Sequence, residues 1–238
     1  MVNEKRIAII PARGGSKRIP KKNIIDFQGK PLIYWTIKAA QDTKLFDRIL
    51  VSTDDREIAD IAMHYGAEVP FLRENISDDF TPVSIDTINS LKQAENYWDE
   101  KYDTITQLMA NCPLRDHLLI TEFLRYFDKN DFNFLLSSVQ FRSMNPFWAF
   151  TKNGNGKFQY LFPDYLEKRS QDIEKSFCLT GSIWIAKHDP LLNMNTFHGP
   201  DCMYKEIDWI SAIDIDDYED LELANVAAIN KLKKKYKS

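Results

Sequence analysis

Arg6-Ile7-Ala8-Ile9-Ile10-Pro11-Ala12-Arg13-Gly14-Gly15-Ser16-Lys17-Arg18-Ile19-Pro20-Lys21-Lys22-Asn23 holds a short apolar run that ends in a Gly-Gly loop. A continuous apolar run of this length, bounded by glycine, reads as a strand. Pro31 then opens a helical pattern through Leu32, Trp35, Ile37 and Ala40, since proline suits the start of a helix. The order is strand, loop, helix, and it repeats outward. Arg48 to Thr53 is β-branched and apolar, and Asp54 or Asp55 can cap a helix that carries Ile58, Ile61 and Ala62 before Gly66 stops it. A short strand over Glu68 to Leu72 follows, then a helix over Ser84 to Trp98 and a strand over Thr104 to Ala110. Beyond these come a helix over Leu118 to Phe127 and a strand over Phe132 to Val139. Strands alternating with helices predict an α/β fold with a doubly wound, mostly parallel sheet, Rossmann-like, with ligands at the strands' carboxyl ends.

The alternation breaks over residues 141–178. Asn153-Gly154-Asn155-Gly156 is a hairpin turn signal, flanked by Phe147, Trp148 and Phe150 on one side and Phe158, Tyr160 and Phe162 on the other. This predicts a β excursion from a single domain spanning residues 1–238. Its aromatics are too many for a small hairpin to cover, which points to a dimerisation surface. The sheet resumes at Ser182 to Ala186, and a strand over Ile213 to Ile215 leads into a last helix from about Asp217 to Tyr236. Lys233, Lys234, Lys235 and Lys237 read as a solvated run complementing that helix's dipole.

Composition excludes several classes of function. Hydrophobic residues at 44% and charged residues at 28% are ordinary globular values. The net charge of -4 argues against a general nucleic-acid binder, because a phosphate backbone needs a basic surface. Cys112, Cys178 and Cys202 are odd in number and widely spaced, so neither a disulfide framework nor a zinc site is indicated. The apolar stretch Ile7 to Ile10 is too short for a signal-peptide core or a membrane span. The expectation is a cytoplasmic protein with no membrane partner.

The first loop is built for phosphates. Two glycines let backbone N–H groups approach an anion, and Arg13, Lys17 and Lys22 add charge where a triphosphate develops more of it. It is neither a Walker A loop nor a G-x-G-x-x-G turn, and a solvated basic loop is the plain alternative. Near the other end, Asp214 and Asp216 alternate with Ile213 and Ile215, so a strand's period of two puts both carboxylates on one face. Two hard oxygen ligands suit Mg²⁺, which binds through one or two carboxylates plus substrate phosphates. The competing reading is that Asp216 or Asp217 caps the final helix, with Asp220 completing a capping box behind Asp217.

The loop resembles that of the acylneuraminate cytidylyltransferases, the CMP-sialic acid synthetase family, in Arg13, Ser16, Lys17, Lys22 and Asn23. The likeness continues in order along the chain. Leu72-Arg73 with Ser84 looks like the family's cytosine-binding segment, and Gln107 to Arg115 looks like its Gln-x-x-x-x-Pro-Leu-Arg motif. Lys168-Arg169-Ser170-Gln171-Asp172 looks like its substrate-carboxylate segment, and Ile213-Asp214-Ile215-Asp216 closes the series. The resemblance implies transfer of CMP from CTP to an acidic nine-carbon sugar, a Mg²⁺ requirement and a homodimer. It implies Arg13, Lys17 and Asp214 as catalytic residues, and Asp214 with Asp216 as the metal ligands. Ala12, Arg13, Gly14, Gly15, Ser16, Lys17, Lys22, Asn23, Arg73, Ser84, Asn111 and Arg115 fall to the nucleotide. Gln107, Trp148, Arg169 and Gly181 fall to the sugar, where a bidentate arginine suits a carboxylate. Arg73 as a surface charge and Arg115 as a helix-start ion pair remain the alternatives for those two.

The chain departs from the sialate pattern where the sugar is expected. Asn145-Pro146-Phe147-Trp148 stands where the family tends to carry a lysine after His-His-Pro-Leu. Phe177 to Gly181 stands where it carries an arginine before Pro-Asn-Gly. Together with Asn111 to Arg115 and Arg169 to Asp172, these strings look most like pseudaminic acid cytidylyltransferases. Rival readings are a synthetase for N-acetylneuraminate or legionaminate, a 3-deoxy-manno-octulosonate cytidylyltransferase, and a non-catalytic nucleotide-sugar-binding regulator.

Overall fold

Alternate residues of the first strand, β1 (Arg6–Pro11), face two different cores. Ala8 and Ile10 join one cluster, and Ile7 and Ile9 join the other. All four are fully buried, each worth about 1–3 kcal/mol for removal from water. The computed structural model describes residues 4–73, 82–142 and 144–235. After a two-strand hairpin, β2 (Asp26–Phe27) and β3 (Lys30–Pro31), the first helix α1 (Leu32–Thr43) covers the first face. The second strand of the central sheet, β4 (Arg48–Ser52), leads to α2 (Arg56–His64), then α3 (Val83–Trp98) and β5 (Thr104–Gln107). Next come α4 (His117–Asn130) and β6 (Phe134–Gln140). Ile33 and Ile37 of α1, Ile58 of α2 and Phe123 of α4 pack on the first face, and Ile88 and Leu91 of α3 pack on the second. Helices on both faces of the sheet are the doubly wound arrangement that the sequence predicts.

The excursion forms a small antiparallel hairpin, β7 (Phe150–Lys152) with β8 (Phe158–Tyr160), in which Phe150 pairs with Tyr160. Asn153 closes its turn by accepting from the Asn155 and Lys157 N–H groups, and Gly156 takes a positive φ of 75°. Phe150 and Phe158 are more than half exposed. The chain then returns as β9 (Phe177–Lys187), followed by α5 (His188–Met194), β10 (Met203–Glu206) and α6 (Tyr218–Lys235).

The six-stranded sheet has the order β10-β6-β9-β5-β1-β4. β4, β5 and β1 run parallel, as do β10 and β6, whereas β9 runs antiparallel to both β5 and β6. The sheet is therefore mostly parallel with one reversed central strand. That reversal brings residues 177–182 of β9 to the end of the sheet where β1, β4 and β5 finish.

Two expected strands are absent. Glu68 to Leu72 makes one isolated parallel bridge, Leu50 with Glu68, because Pro70 interrupts any ladder there. Ile213 to Ile215 is not a strand either. The Ile215 N–H donates to the Asn111 carbonyl at 2.9 Å, and the Asn111 amide donates back to the Ile215 carbonyl at 3.2 Å. Extended backbone pinned by one residue reproduces part of a strand's alternation, for Ile213 and Ile215 still enter one apolar cluster with Ile19 and Leu32. The final helix is capped as expected. Asp217 accepts from the Glu219 and Asp220 N–H groups at 3.0 Å, and Asp220 accepts from the Asp217 N–H at 3.1 Å. Lys237 and the side chains of residues 233–235 lie outside the described part of the structure. Among the described residues, no helix is long and apolar enough to cross a membrane.

Candidate functional site

The loop after β1 is fastened at several points. The Ala12 N–H donates to the Ser52 carbonyl at 2.9 Å, continuing the β1–β4 ladder one step beyond the strand. The Asn23 amide, almost fully buried, donates to the Arg13 carbonyl at 3.0 Å and closes the loop on itself. The Ser16 N–H turns back onto the Gly14 carbonyl at 2.9 Å. The two glycines differ in what surrounds them. A side chain on Gly14 would run into Asp55 at 2.7 Å, whereas one on Gly15 would meet none of the described residues within 4 Å. Packing inside the protein requires Gly14 to lack a side chain. Gly15 presents bare backbone to open space, as a phosphate cradle needs. Arg13, Lys17 and Arg18 are exposed along the same loop.

Across from the loop stand the two carboxylates. The Asn111 amide donates to Asp214 Oδ1 and lies 3.4 Å from Asp216 Oδ1, so one side chain gathers both acids. Lys22 Nζ donates to Asp216 at 2.8 Å, and Arg18 donates to its other oxygen at 2.5 Å. Burial works against ionisation of Asp216, but the hydrogen bonds and charges of Lys22 and Arg18 outweigh it and hold the carboxyl below its ordinary value. Among the described residues, Asp214 has no such cation in hydrogen-bond contact. It keeps part of its surface in contact with solvent, yet the surrounding protein, followed by the Asp216 charge, pushes its carboxyl up to about 6. Gly181 on β9 lies beside this acid, since a side chain there would come within 3.8 Å of Asp214 Oδ2 and 3.0 Å of Met109.

A divalent cation fits this arrangement. The donors are two carboxylate groups, and the Asn111 Oδ1 beside them is buried without a hydrogen-bond partner. Among the described residues, no group of three or more His, Cys, Asp or Glu side chains gathers to form an all-protein cage. Two protein carboxylates completed by substrate oxygens are the usual mode for Mg²⁺ rather than for Zn²⁺.

Arg73 is almost fully buried. Its N–H donates to the Thr53 carbonyl at 2.8 Å, and its guanidinium pairs with Asp86 at 2.9 Å and lies 4.0 Å from Asp54. It is not a surface charge. Ser84 is also buried and accepts from the Phe197 N–H at 3.5 Å. Gln107 has no solvent exposure, and its carbonyl accepts from Thr87 at 2.7 Å.

Arg115 is 1% exposed. It donates to the Ser182 carbonyl at 2.5 Å and to Thr36 at 2.9 Å, with the Met109 carbonyl at 3.4 Å. Burial lowers its guanidinium to about 10, and the nearby Cys112 only partly opposes that effect. Its hydrogen-bond partners are neutral oxygens, so the arginine is not the helix-start ion pair. The arginine joins α1, β9 and the Met109 turn from beneath. Arg115→Ala is expected to cost about 2–5 kcal/mol of stability, from the cavity and the orphaned carbonyls. CTP affinity of the folded fraction should stay within about threefold of the parent. Urea unfolding and nucleotide titration check the two halves, and a tenfold loss of affinity at unchanged stability would reverse the assignment.

Two of the four sugar candidates, Trp148 and Arg169, sit on the excursion. Trp148 Nε1 donates to the Tyr165 carbonyl at 3.2 Å, while Phe147 stacks on Tyr165 with ring centroids 4.4 Å apart. Arg169 is largely exposed and is bidentate to Asp172 at 2.7 and 3.1 Å. Among the described residues, neither Trp148 nor Arg169 hydrogen-bonds to Asp214. Sequence reasoning assigned no role to Arg18 or Asp86, and it treated Asp54 only as a helix cap. Arg18 reaches Asp216 from the first loop, Asp54 reaches Gly14 from the end of β4, and Asp86 reaches Arg73 from α3.

Fold and site together define an α/β protein whose strand ends carry a basic glycine loop opposite paired carboxylates. A family model described as cytidylyltransferase matches residues 7–177, and the chain belongs to that family. It is 35% identical over 226 residues to the pseudaminic acid cytidylyltransferase of Campylobacter jejuni, covering 93% of this chain and 95% of that one. It is 35% identical over 214 residues to the CMP-N,N'-diacetyllegionaminic acid synthase of Legionella pneumophila, covering 88% and 90%. In fold it is similar to a CMP:2-keto-3-deoxy-manno-octonic acid synthetase complexed with CTP, with a TM-score of 0.71 at 17% identity over 96% of this chain and 99% of that one.

Proposed function

We propose that this protein transfers CMP from CTP to the anomeric hydroxyl of a nonulosonic acid of the pseudaminic type, with Mg²⁺, as a cytoplasmic homodimer. The observation that carries the reading is the meeting of the first loop with the acid pair, Lys22 and Arg18 on Asp216 beside Asp214. In the reaction, the anomeric hydroxyl loses its proton to water and its oxygen attacks the α-phosphorus of CTP, the bond to the β-phosphate oxygen breaks, and pyrophosphate leaves with the electron pair. The Gly15 backbone with Arg13 and Lys17 holds the triphosphate in line and meets the charge that develops on it. Asp214 and Asp216 would hold the cation, with Asn111 fixing the spacing between them. When bound, Mg²⁺ neutralises phosphoryl charge and lowers the pKa of a coordinated hydroxyl. The exposed aromatics of β7 and β8 are the surface a second copy would cover.

The sugar preference rests on Trp148. Its one polar atom is already spent on Tyr165, so it offers a substrate only an apolar face. Pseudaminic acid carries a terminal methyl where N-acetylneuraminate carries a hydroxymethyl. A hydroxyl buried against the indole without a partner costs on the order of 1–3 kcal/mol. Pyrophosphate release, measured with CTP over a panel of nonulosonic acids, is expected to favour pseudaminic acid by at least about tenfold in kcat/KM. Trp148→Lys should narrow that margin. Equal efficiencies for the two sugars would sink the substrate assignment and leave CMP transfer standing.

A further inference from the structure

Two aspartates stand where β4 ends, and only one is needed to start α2. Asp55 caps the helix, accepting from the Glu57 N–H at 2.8 Å and the Ile58 N–H at 3.2 Å. Asp54 turns the other way and accepts from the Gly14 N–H at 2.8 Å. This is a carboxylate inside a loop that otherwise presents cations and bare N–H groups to an anion. Placed there for its charge alone, it would repel a triphosphate. Its use must lie in what it holds.

Asp54 holds Gly14 against the β4 corner, and the fit is close on both sides. The Asp55 side chain fills the space that a Cβ on Gly14 would take, so the glycine is trapped between the two acids. Asp54 also lies 4.0 Å from the Arg73 guanidinium, whose other branch pairs with Asp86 of α3 and whose backbone is tied to Thr53. One corner of the sheet thus sets the phosphate loop and the buried arginine relative to each other, with Gly15 left facing open space.

We infer that Asp54 is a positioning residue that fixes the phosphate loop through the Gly14 N–H and registers it against Arg73, so that the loop meets the β- and γ-phosphates of the nucleotide already in place. This rests on the nucleotide reading of the loop proposed above. A charge-assisted hydrogen bond to a backbone N–H is among the stronger single contacts, and pre-ordering a loop removes an entropic cost of binding. The contribution falls on the phosphates beyond the first, so it should separate CTP from CMP.

Equilibrium binding of CTP and CMP is measured for the parent chain, Asp54→Ala, Asp54→Ser and Asp54→Asn. Alanine and serine, neither of which reaches Gly14, are expected to lower the CTP-to-CMP affinity ratio by about tenfold. Asparagine keeps an acceptor at the same distance and should stay within about threefold of the parent. A merely structural role would weaken both nucleotides together and leave the ratio alone. Hydrogen exchange of the Gly14 amide in the free parent protein needs no variant, and protection well above that of Gly15 is expected. The inference is overturned if the ratio is unchanged in the alanine and serine chains, if asparagine is no better than alanine, or if the Gly14 amide exchanges as freely as Gly15. A parent chain that does not bind CTP in preference to ATP overturns the nucleotide reading instead, and the two failures are told apart in the same titrations.

Discussion

Asp214→Asn is expected to lower turnover by about two to three orders of magnitude, the usual scale for losing one charge-stabilising group at a reacting centre. Its stability at neutral pH should be equal to or above that of the parent. The second half follows from the electrostatics. The Asp214 carboxyl is pushed from its ordinary 3.8 up to about 6 by burial and by the neighbouring Asp216 charge, so without a cation the ionised acid is held at a cost. The linkage sign follows directly. A folded-state pKa above the unfolded one contributes stability that is present below about pH 4 and is lost as pH rises through about 6. The parent minus Asn difference in Tm, measured without divalent cations, should therefore fall over that window. Added Mg²⁺ should restore parent stability above pH 6 and do little for the variant. If Asp214 were only structural, the Asn chain would instead lose stability at every pH and gain nothing relative to the parent on magnesium removal. The helix cap cannot account for the acid, because Asp217 and Asp220 already supply both sides of the capping box.

This balance explains why the fold was legible in the sequence and the site only partly so. Period and punctuation are local signals. The apolar run into Gly14-Gly15, the Asp54-Asp55 pair and the Asn153 to Gly156 turn each determine a short segment by sterics and capping alone, and all three elements are present. The direction of β9 is not local. It depends on where the chain returns after the excursion, which no window of residues encodes. Arg115 shows the limit for single side chains: its partners Thr36 and Ser182 lie 79 and 67 residues away, so no local window shows what holds it. Asp214 and Asp216 were found by an alternation that needed a strand. The strand is absent, and Asn111, 103 residues from Asp214, gathers the two acids instead. A doublet of acids where one cap would do was the only trace of Asp54 in the sequence, and it points nowhere until Gly14 is seen beside it.

Lys17→Ala is the second change with a large expected effect, and the way the loss divides between kinetic constants tests the role. Lys17 stands exposed on the loop, three residues after Gly14 and five before Lys22. Lys22 is committed to Asp216, so its charge is partly neutralised before any nucleotide arrives. Lys17 lies on the exposed side of the same loop, where the proposed function sets the triphosphate. Removing one ammonium that strengthens its contact as charge moves onto the leaving pyrophosphate should cost about 10²–10³-fold in kcat, or roughly 3–4 kcal/mol of transition-state stabilisation. An ammonium that bound ground state and transition state equally would raise KM for CTP and leave kcat unchanged. Lys17→Arg keeps the charge on a bulkier, planar head, so it should recover part of the rate without reaching the parent value. Steady-state kinetics at saturating sugar, with circular dichroism to show that each chain is folded, separates the outcomes. A Lys17→Ala enzyme with normal kcat would leave only Arg13 and the Gly15 backbone to meet the departing charge.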